Sequence, residues 1–161
     1  MADRSELRDR VVQDNPVPDH AVYYFAYGSN MEFATLSRRI RTNPVFLGIG
    51  YLQNFRYFIN MAGYGSVRED LGSKVYGVAF SIPEHRLKVL DHAEAVEHGL
   101  YVRKPLRITM VEGPMQGLYA QTYIDPEKHL PLPGYQKAVI DVAKDFEFPP
   151  DYIKHLQSLV K

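Results

Sequence analysis

The chain has no cysteine and no tryptophan among its 161 residues. Without cysteine it can form no disulfide, thiolate nucleophile or thiolate metal site, and a reducing compartment is compatible with that absence. Lys+Arg and Asp+Glu balance at 19 each, so no net charge favours nucleic acid. No apolar run approaches the roughly 20 residues that span a bilayer, and residues 1–20 lack a signal peptide's apolar centre. We therefore expect a cytoplasmic protein without nucleic-acid or membrane partners.

A chain of this length fits one domain with a real core. Residues 1–20 are charged, contain Pro16 and Pro18, and are predicted to be a mobile arm before a single domain over 21–161. Strand patterns dominate the middle and helical patterns interrupt them, which predicts an α+β fold, a small mixed β-barrel with peripheral helices. The predicted strands are 22–27, 45–52, 55–60, 74–81, 101–111 and 117–124, with a glycine-rich and charged loop at 61–73.

Helix boundaries are predicted from capping signals. Ser81 followed by Ile82, Pro83 and Glu84 has the form of a capping box and predicts a helix start, with Gly99 beyond the helix end. Gly134 precedes a segment with apolar residues at helical spacing, and Asp151 is predicted to cap the last helix. A further helix is predicted over 32–40.

The segment Tyr23-Tyr24-Phe25-Ala26-Tyr27-Gly28-Ser29-Asn30-Met31 carries the first functional signal. An aromatic strand runs into a tight Gly-Ser-Asn turn, and a helical pattern follows. Such a junction leaves unpaired backbone N–H groups near the positive end of a helix dipole. We therefore expect the turn to suit a carboxylate, a phosphate or a developing oxyanion.

Glu94 carries the second signal. It follows Leu90 by four residues and Leu87 by seven, which places a carboxylate on the apolar face of the helix after Ser81. Such a group pairs, protonates or lines a cavity, and desolvation raises its pKa toward that of a general base. The alternative is that the helix ends before Glu94 and its side chain meets solvent or a nearby arginine.

Other charged residues receive structural interpretations. Asp91 is predicted to bond backbone N–H groups of the next turn, and Arg38, Arg39 and Arg41 are predicted to form a solvated helix C-terminus. His92 and His98 lack the spacing and partners of a metal site. Dinucleotide and P-loop patterns are missing too, so no cofactor is predicted.

Three segments in order resemble the γ-glutamylcyclotransferase family: 24–31, then Leu90-Asp91-His92-Ala93-Glu94-Ala95-Val96-Glu97-His98-Gly99-Leu100-Tyr101, then Pro131-Leu132-Pro133-Gly134-Tyr135. The resemblance implies a small barrel whose enzyme cyclises a γ-glutamyl group to 5-oxoproline and frees an amine, without metal or cofactor. It implies Glu94 as the catalytic acid–base, and it assigns substrate binding to Tyr27, Gly28, Ser29, Asn30, Tyr101 and Tyr135.

The resemblance also sets expectations about partners. It implies a small-molecule γ-glutamyl substrate, an amino acid, a peptide or an adduct of secondary metabolism, bound by a monomer or homodimer. Ala95 departs from the family's glycine, which would shift Glu94 or narrow the pocket if this position has a positive φ. Two alternatives stay open: a lyase or isomerase that uses Glu94 on a non-glutamyl substrate, and a non-catalytic binding protein.

Overall fold

The computed structural model describes residues 20–112, 115–126, 131–134 and 136–159. The predicted arm at 1–20 lies almost wholly outside this part of the chain, as does the predicted site residue Tyr135, so both stay predictions. The described elements are β1 (Ala21–Ala26), α1 (Phe33–Ile40), β2 (Val45–Ile59), β3 (Gly65–Pro83), α2 (Leu87–Ala93), β4 (Val102–Met110), β5 (Gly117–Ile124), α3 (Lys137–Asp145) and α4 (Pro150–Ser158).

The strands close into a barrel in the order β1-β3-β2-β4-β5. Antiparallel pairing joins each neighbouring pair except the last, and β1 closes on β5 in parallel through Tyr24 and Gln121. The sheet is therefore mixed, and the predicted α+β barrel with peripheral helices is confirmed. The strands enclose a barrel, and the ends of the strands are where a cavity can form.

The predicted strands 45–52 and 55–60 are one strand, β2, with irregular register. The pairing with β3 slips between Phe46 and Gly48 and again between Gln53 and Phe55. Gly48 and Asn54 both have positive φ, 139° and 66°. These bulges bend the long hairpin, and the second of them produced the break in the apolar pattern.

The prediction of a loop at 61–73 holds only for 61–64 and is wrong from Gly65 onward. Strand β3 begins at Gly65, and its first residues continue the hairpin from Ile59 opposite Gly65 to Phe55 opposite Glu69. Ser66 and Val67 are buried, whereas Glu69 to Lys74 are mostly exposed. The charged residues face solvent on a strand that is paired through its backbone, so composition concealed the pairing.

Two predicted helix caps are also wrong. Ser81 is a buried residue of β3, paired with Tyr23 and Val45, and a 3₁₀ turn at Glu84–Arg86 precedes α2 without a side-chain cap. Helix α4 begins at Pro150, so Asp151 lies inside the first turn and does not cap it. A proline at the first helical position has no N–H to satisfy, which lets the helix start without a capping side chain.

The core fills the barrel and the space beneath α3 and α4. Phe146 from the end of α3 stacks on Phe46 with ring centroids 5.9 Å apart, and Tyr152 of α4 meets Tyr76 edge-on at 5.3 Å. These aromatic contacts fix the helices against β2 and β3, so they also fix the barrel wall beside the cavity. No helix in the described part of the chain is long and apolar enough to cross a membrane.

Candidate active site

A cavity of about 480 Å³ opens where β1 ends, between the Gly-Ser-Asn turn at 28–30 and the segment after α2. This volume lies within the range of small-molecule sites. Most of the residues predicted for the site line it, together with residues from the β2–β3 hairpin tip and α3. The lining residues are Tyr24, Tyr27, Gly28, Ser29, Asn30, Arg39, Tyr64, Gly65, Ala93, Glu94, Ala95, Leu100, Tyr101, Tyr123, Gln136 and Val139.

The predicted turn leaves β1 and makes a short 3₁₀ helix, Ser29–Met31, before α1 begins. The N–H of Met31 donates to the Gly28 carbonyl at 3.0 Å, and the N–H of Glu32 donates to the Ser29 carbonyl at 3.2 Å. Glu32 occupies the N-cap position of α1 without a side-chain hydrogen bond, so the positive end of that helix dipole lies just beyond the turn, one residue later than the predicted helix start. A Cβ built on Gly28 would meet no atom within 4 Å, so this glycine leaves space at the cavity wall.

The turn carries a buried amide, Asn30, that is only 3% exposed. Its Nδ2 donates to the Tyr24 hydroxyl at 2.9 Å and to Glu94 Oε1 at 2.7 Å. Its Oδ1 accepts a hydrogen bond from Arg39 Nη1, which also donates to the Ser29 hydroxyl at 3.0 Å. Asn30 therefore joins β1, α1 and the segment after α2 at one point.

Glu94 lies just past the end of α2, with its backbone N–H bonded to the Leu90 carbonyl at 2.9 Å. Both alternatives for this residue hold in part, because the helix does end before it yet its side chain lines the cavity. Burial raises the pKa of Glu94, while the Arg39 charge and the Asn30 hydrogen bond oppose that rise. The net pKa is above the usual value, which favours a proton carrier near neutral pH.

Ala95 has φ 52° and ψ 40°, which is the left-handed conformation. This is the position at which the resembled family has glycine, so the substitution affects the backbone. An alanine here is strained by roughly 1–2 kcal/mol relative to glycine. Its carbonyl accepts hydrogen bonds from the N–H groups of His98 and Leu100 at 3.1 and 3.2 Å, so the reversal it makes is well tied down. That reversal turns the chain toward Tyr101 and aims Glu94 into the cavity.

Tyrosines surround the carboxylate. The Tyr27 hydroxyl donates to the Tyr123 carbonyl at 2.5 Å, and the Tyr101 hydroxyl donates to the Gly65 carbonyl at 2.6 Å. Burial and the nearby Glu94 charge raise the pKa of Tyr24 and Tyr101, and burial with neighbouring tyrosines and Glu94 raises that of Tyr27. All of these hydroxyls therefore stay protonated. The predicted pocket residues Tyr27 and Tyr101 donate their hydroxyl hydrogens to backbone carbonyls in the wall of the site.

Asp91 lies three residues before Glu94 and has a different environment. Arg103 donates to it from Nε at 2.7 Å and from Nη2 at 3.2 Å, and the Tyr123 hydroxyl donates to it at 2.6 Å. The structural interpretation of Asp91 is right, but its partners are side chains of β4 and β5 and not the backbone N–H groups of the next turn. It links α2 to the barrel wall.

No group of three or more His, Cys, Asp or Glu residues within the described ranges could hold a metal ion. His92 bonds the exposed Glu97 at 2.8 Å, away from the cavity. The described lining of the cavity presents hydroxyls, amides, one carboxylate and one guanidinium. That donor set suits a small polar ligand with a carboxylate and an amine.

Three of the lining residues that the sequence analysis did not assign to the site lie around Asn30 and Glu94. Arg39 is exposed, as was expected of it with Arg38 and Arg41, but its Nη1 also reaches back from the last turn of α1 to Ser29 and Asn30. Tyr24 and Tyr123 line the cavity as well. Tyr24 was in the quoted motif, but Arg39 and Tyr123 had no local signal because their partners are distant or on another element.

Comparison with known proteins agrees with this geometry. The chain matches the model of the AIG2-like family over residues 74–156. It is 32% identical to bovine γ-glutamylcyclotransferase, covering 84% of this chain and 77% of that protein, and 28% identical to the human γ-glutamylcyclotransferase, covering 88% and 81%.

Solved structures are similar as well. A γ-glutamyl cyclotransferase structure superposes with a TM-score of 0.73 at 25% identity, over 86% of this chain and 87% of that one. A crystal structure of an uncharacterised human protein gives the same TM-score at 26% identity, over 87% and 88%. The chain belongs to the AIG2-like family and to the γ-glutamylcyclotransferases.

Proposed function

We propose that the protein is a γ-glutamylcyclotransferase, which cyclises the γ-glutamyl group of an amide to 5-oxoproline and releases the amine. The observation that carries the proposal is the Glu94 carboxylate, held at 2.7 Å by a buried amide inside a polar cavity. Burial raises its pKa, so it can both take and return a proton. The similarity to the bovine and human γ-glutamylcyclotransferases supports the same reaction class.

The polar half of the cavity is proposed to hold the glutamyl group. The hydrogen bonds of the 3₁₀ turn are made by the N–H groups of later residues. The N–H groups of Gly28, Ser29 and Asn30 come before them and are proposed to be available to the substrate. Such donors suit the substrate α-carboxylate or the oxyanion that forms on the γ-carbonyl, and one well-placed oxyanion donor contributes about 3–4 kcal/mol. Tyr101 and Tyr27 wall this half, and Tyr135 is proposed to join them on the motif alone.

Glu94 is proposed to move the protons. As a carboxylate it takes one proton from the substrate α-ammonium, and the neutral nitrogen attacks the γ-carbon. Glu94 returns that proton to the leaving nitrogen as the amide bond breaks, and it then takes the second proton from the new ring nitrogen. That proton leaves with the released amine, so Glu94 is a carboxylate again and no water is consumed.

Alignment supplies much of the rate. Nucleophile and electrophile belong to one glutamyl group, and the cavity has only to hold that group folded. A well-oriented intramolecular attack can be faster by the equivalent of about 7–11 kcal/mol. Neither a metal nor a nucleotide enters the scheme.

The leaving group is proposed to be apolar or aromatic. Tyr64, Leu100 and Val139 also line the cavity, and Tyr64 is 59% exposed. Apolar surface at an open mouth stabilises an apolar group that protrudes from the site. A γ-glutamyl adduct of a secondary metabolite fits this half as well as a γ-glutamyl aromatic amino acid, and we propose cytoplasmic action on either.

A substrate panel tests the proposal. We expect 5-oxoproline from γ-glutamyl-phenylalanine or a γ-glutamyl aromatic amine, faster than from γ-glutamyl-alanine, and none above background from E94Q. Glutathione and a glutathione conjugate complete the panel. If none of these substrates gives 5-oxoproline above the E94Q background, the proposal is wrong; a different product from the panel would indicate another lyase, and binding without turnover a binding protein.

A further inference from the structure

The cavity contains a positively charged residue to which neither the family motif nor the sequence analysis assigned a role. Arg39 is the only cation among the described residues that line it. It lies in the last turn of α1, nine residues after Asn30, and its Nη1 reaches both Asn30 Oδ1 and Ser29 Oγ. Its neighbour Arg38 is exposed as Arg39 is, but among the described residues it bonds the Thr35 hydroxyl of its own helix, at 3.4 Å.

Arg39 and Glu94 fix from opposite ends which way the Asn30 amide faces. A guanidinium has five donors and no acceptor, so the oxygen of the amide must turn toward it. The amide nitrogen then faces the opposite way, where it donates to Tyr24 and to Glu94. The flipped amide would place its nitrogen against the guanidinium and its oxygen against the carboxylate, which is unfavourable at both ends.

We propose that Arg39 is a positioning residue, which acts through the Asn30 amide to hold the Glu94 carboxylate in place for proton transfer. This inference rests on the proposed function of Glu94. Asn30 is the only hydrogen-bond donor to Glu94 among the side chains described here, and without Arg39 its amide is held only from the side of Tyr24 and Glu94.

Electrostatics point the same way. The charged and titratable groups that face Glu94 are Arg39 on α1 and four tyrosines, Tyr24, Tyr27, Tyr101 and Tyr123, from β1, the turns and β5. The tyrosines stay neutral because burial raises the pKa of each. The Arg39 charge and the Asn30 hydrogen bond therefore oppose the effect of burial on the pKa of Glu94, and Arg39 also bonds the oxygen of the amide that makes that hydrogen bond.

The test compares R39Q, R39K and the matched control R38Q, which removes an exposed arginine from the same helix. The first readout needs no substrate: the carboxyl ¹³C resonance of Glu94, assigned by its loss in E94Q, is titrated by NMR. We expect the Glu94 midpoint to rise by about one pH unit in R39Q, to stay near the wild-type value in R39K, and not to move in R38Q.

The second readout is kinetic. In R39Q we expect kcat for 5-oxoproline formation to fall about 10- to 100-fold with a smaller change in KM, because a misplaced proton carrier slows the reaction more than it weakens binding. The acid limb of kcat/KM should move up with the NMR midpoint. R38Q should match wild type in both, and thermal unfolding should show all three variants folded.

An unchanged Glu94 midpoint in R39Q overturns the inference. So does a rise in KM at constant kcat and constant acid limb, which would make Arg39 a contact for the substrate carboxylate. A shifted midpoint in a protein that makes no 5-oxoproline from any substrate would instead support the inference while the proposed function fails, so the two failures are distinguishable.

Discussion

Asp91 and Glu94 are three residues apart, and the fold gives them opposite environments. Asp91 faces β4 and β5, where Arg103 and Tyr123 supply three hydrogen bonds to its two oxygens. Glu94 faces the cavity, where one amide donates to it and burial raises its pKa. The difference shows how a protein separates a carboxylate that holds the wall from one that is kept short of partners and ready to exchange a proton.

The sharpest way to break this comparison is to neutralise each carboxylate in turn. E94Q should lower 5-oxoproline formation by about 10²–10⁴-fold with no loss of folding stability, because it removes a proton carrier and leaves the hydrogen bond from Asn30 an acceptor. D91N should do the reverse, losing about 1–3 kcal/mol of stability as the Arg103 charge loses its partner, while turnover persists. Urea unfolding and initial rates measure both.

If D91N lowers the rate as much as E94Q at equal stability, the two carboxylates share the chemistry and the distinction is wrong. R103Q is a useful control. It removes the other member of the same pair, so its stability loss should resemble that of D91N and should add little to it in the double variant.

A second, smaller effect is the dependence of stability on pH. Since the pKa of Glu94 in the folded protein lies above its value in the unfolded chain, the Glu94 carboxylate binds a proton more tightly when the protein is folded. That stability is present below the unfolded pKa and is lost as pH rises through the folded pKa. E94Q should therefore match wild type in acid and become the more stable protein as pH rises toward neutrality.

Chemical unfolding at several pH values measures this difference, and E97Q at the exposed Glu97 shows what loss of any single negative charge contributes. A constant difference between E94Q and wild type across the pH range would mean that burial does not act on Glu94 as described. A difference of the opposite sign would mean that Glu94 is stabilised as a carboxylate, as a paired acid would be.

The smallest expected effect concerns the chain reversal at Ala95, directly after Glu94. A95G should raise stability by about 0.5–1 kcal/mol, the relief of left-handed strain less the greater unfolded-state entropy of glycine. R41G is matched, since Arg41 has φ 60° at the end of α1. Thermal unfolding should show a similar gain for both, and only A95G should alter turnover if the methyl narrows the cavity.

Local sequence patterns predicted many features of the fold and of the candidate site. The aromatic strand, the Gly-Ser-Asn turn and the carboxylate at helical spacing from Leu90 are features of neighbouring residues, and their chemistry follows from local geometry. The barrel class also followed from the order of strands and helices. Element boundaries failed where two influences competed, as at Ser81, whose capping signal lost to pairing with Tyr23 and Val45.

Tertiary structure decided the rest, for a single physical reason. The Asn30–Glu94 bond joins residues 64 apart, and Asp91 finds Tyr123 across 32 residues. The hairpin at 65–69 pairs through its backbone, which carries no residue code. Composition and spacing act along the chain, whereas these contacts form only after the barrel closes, so the sequence determined which residues could do the chemistry and the fold determined which of them meet.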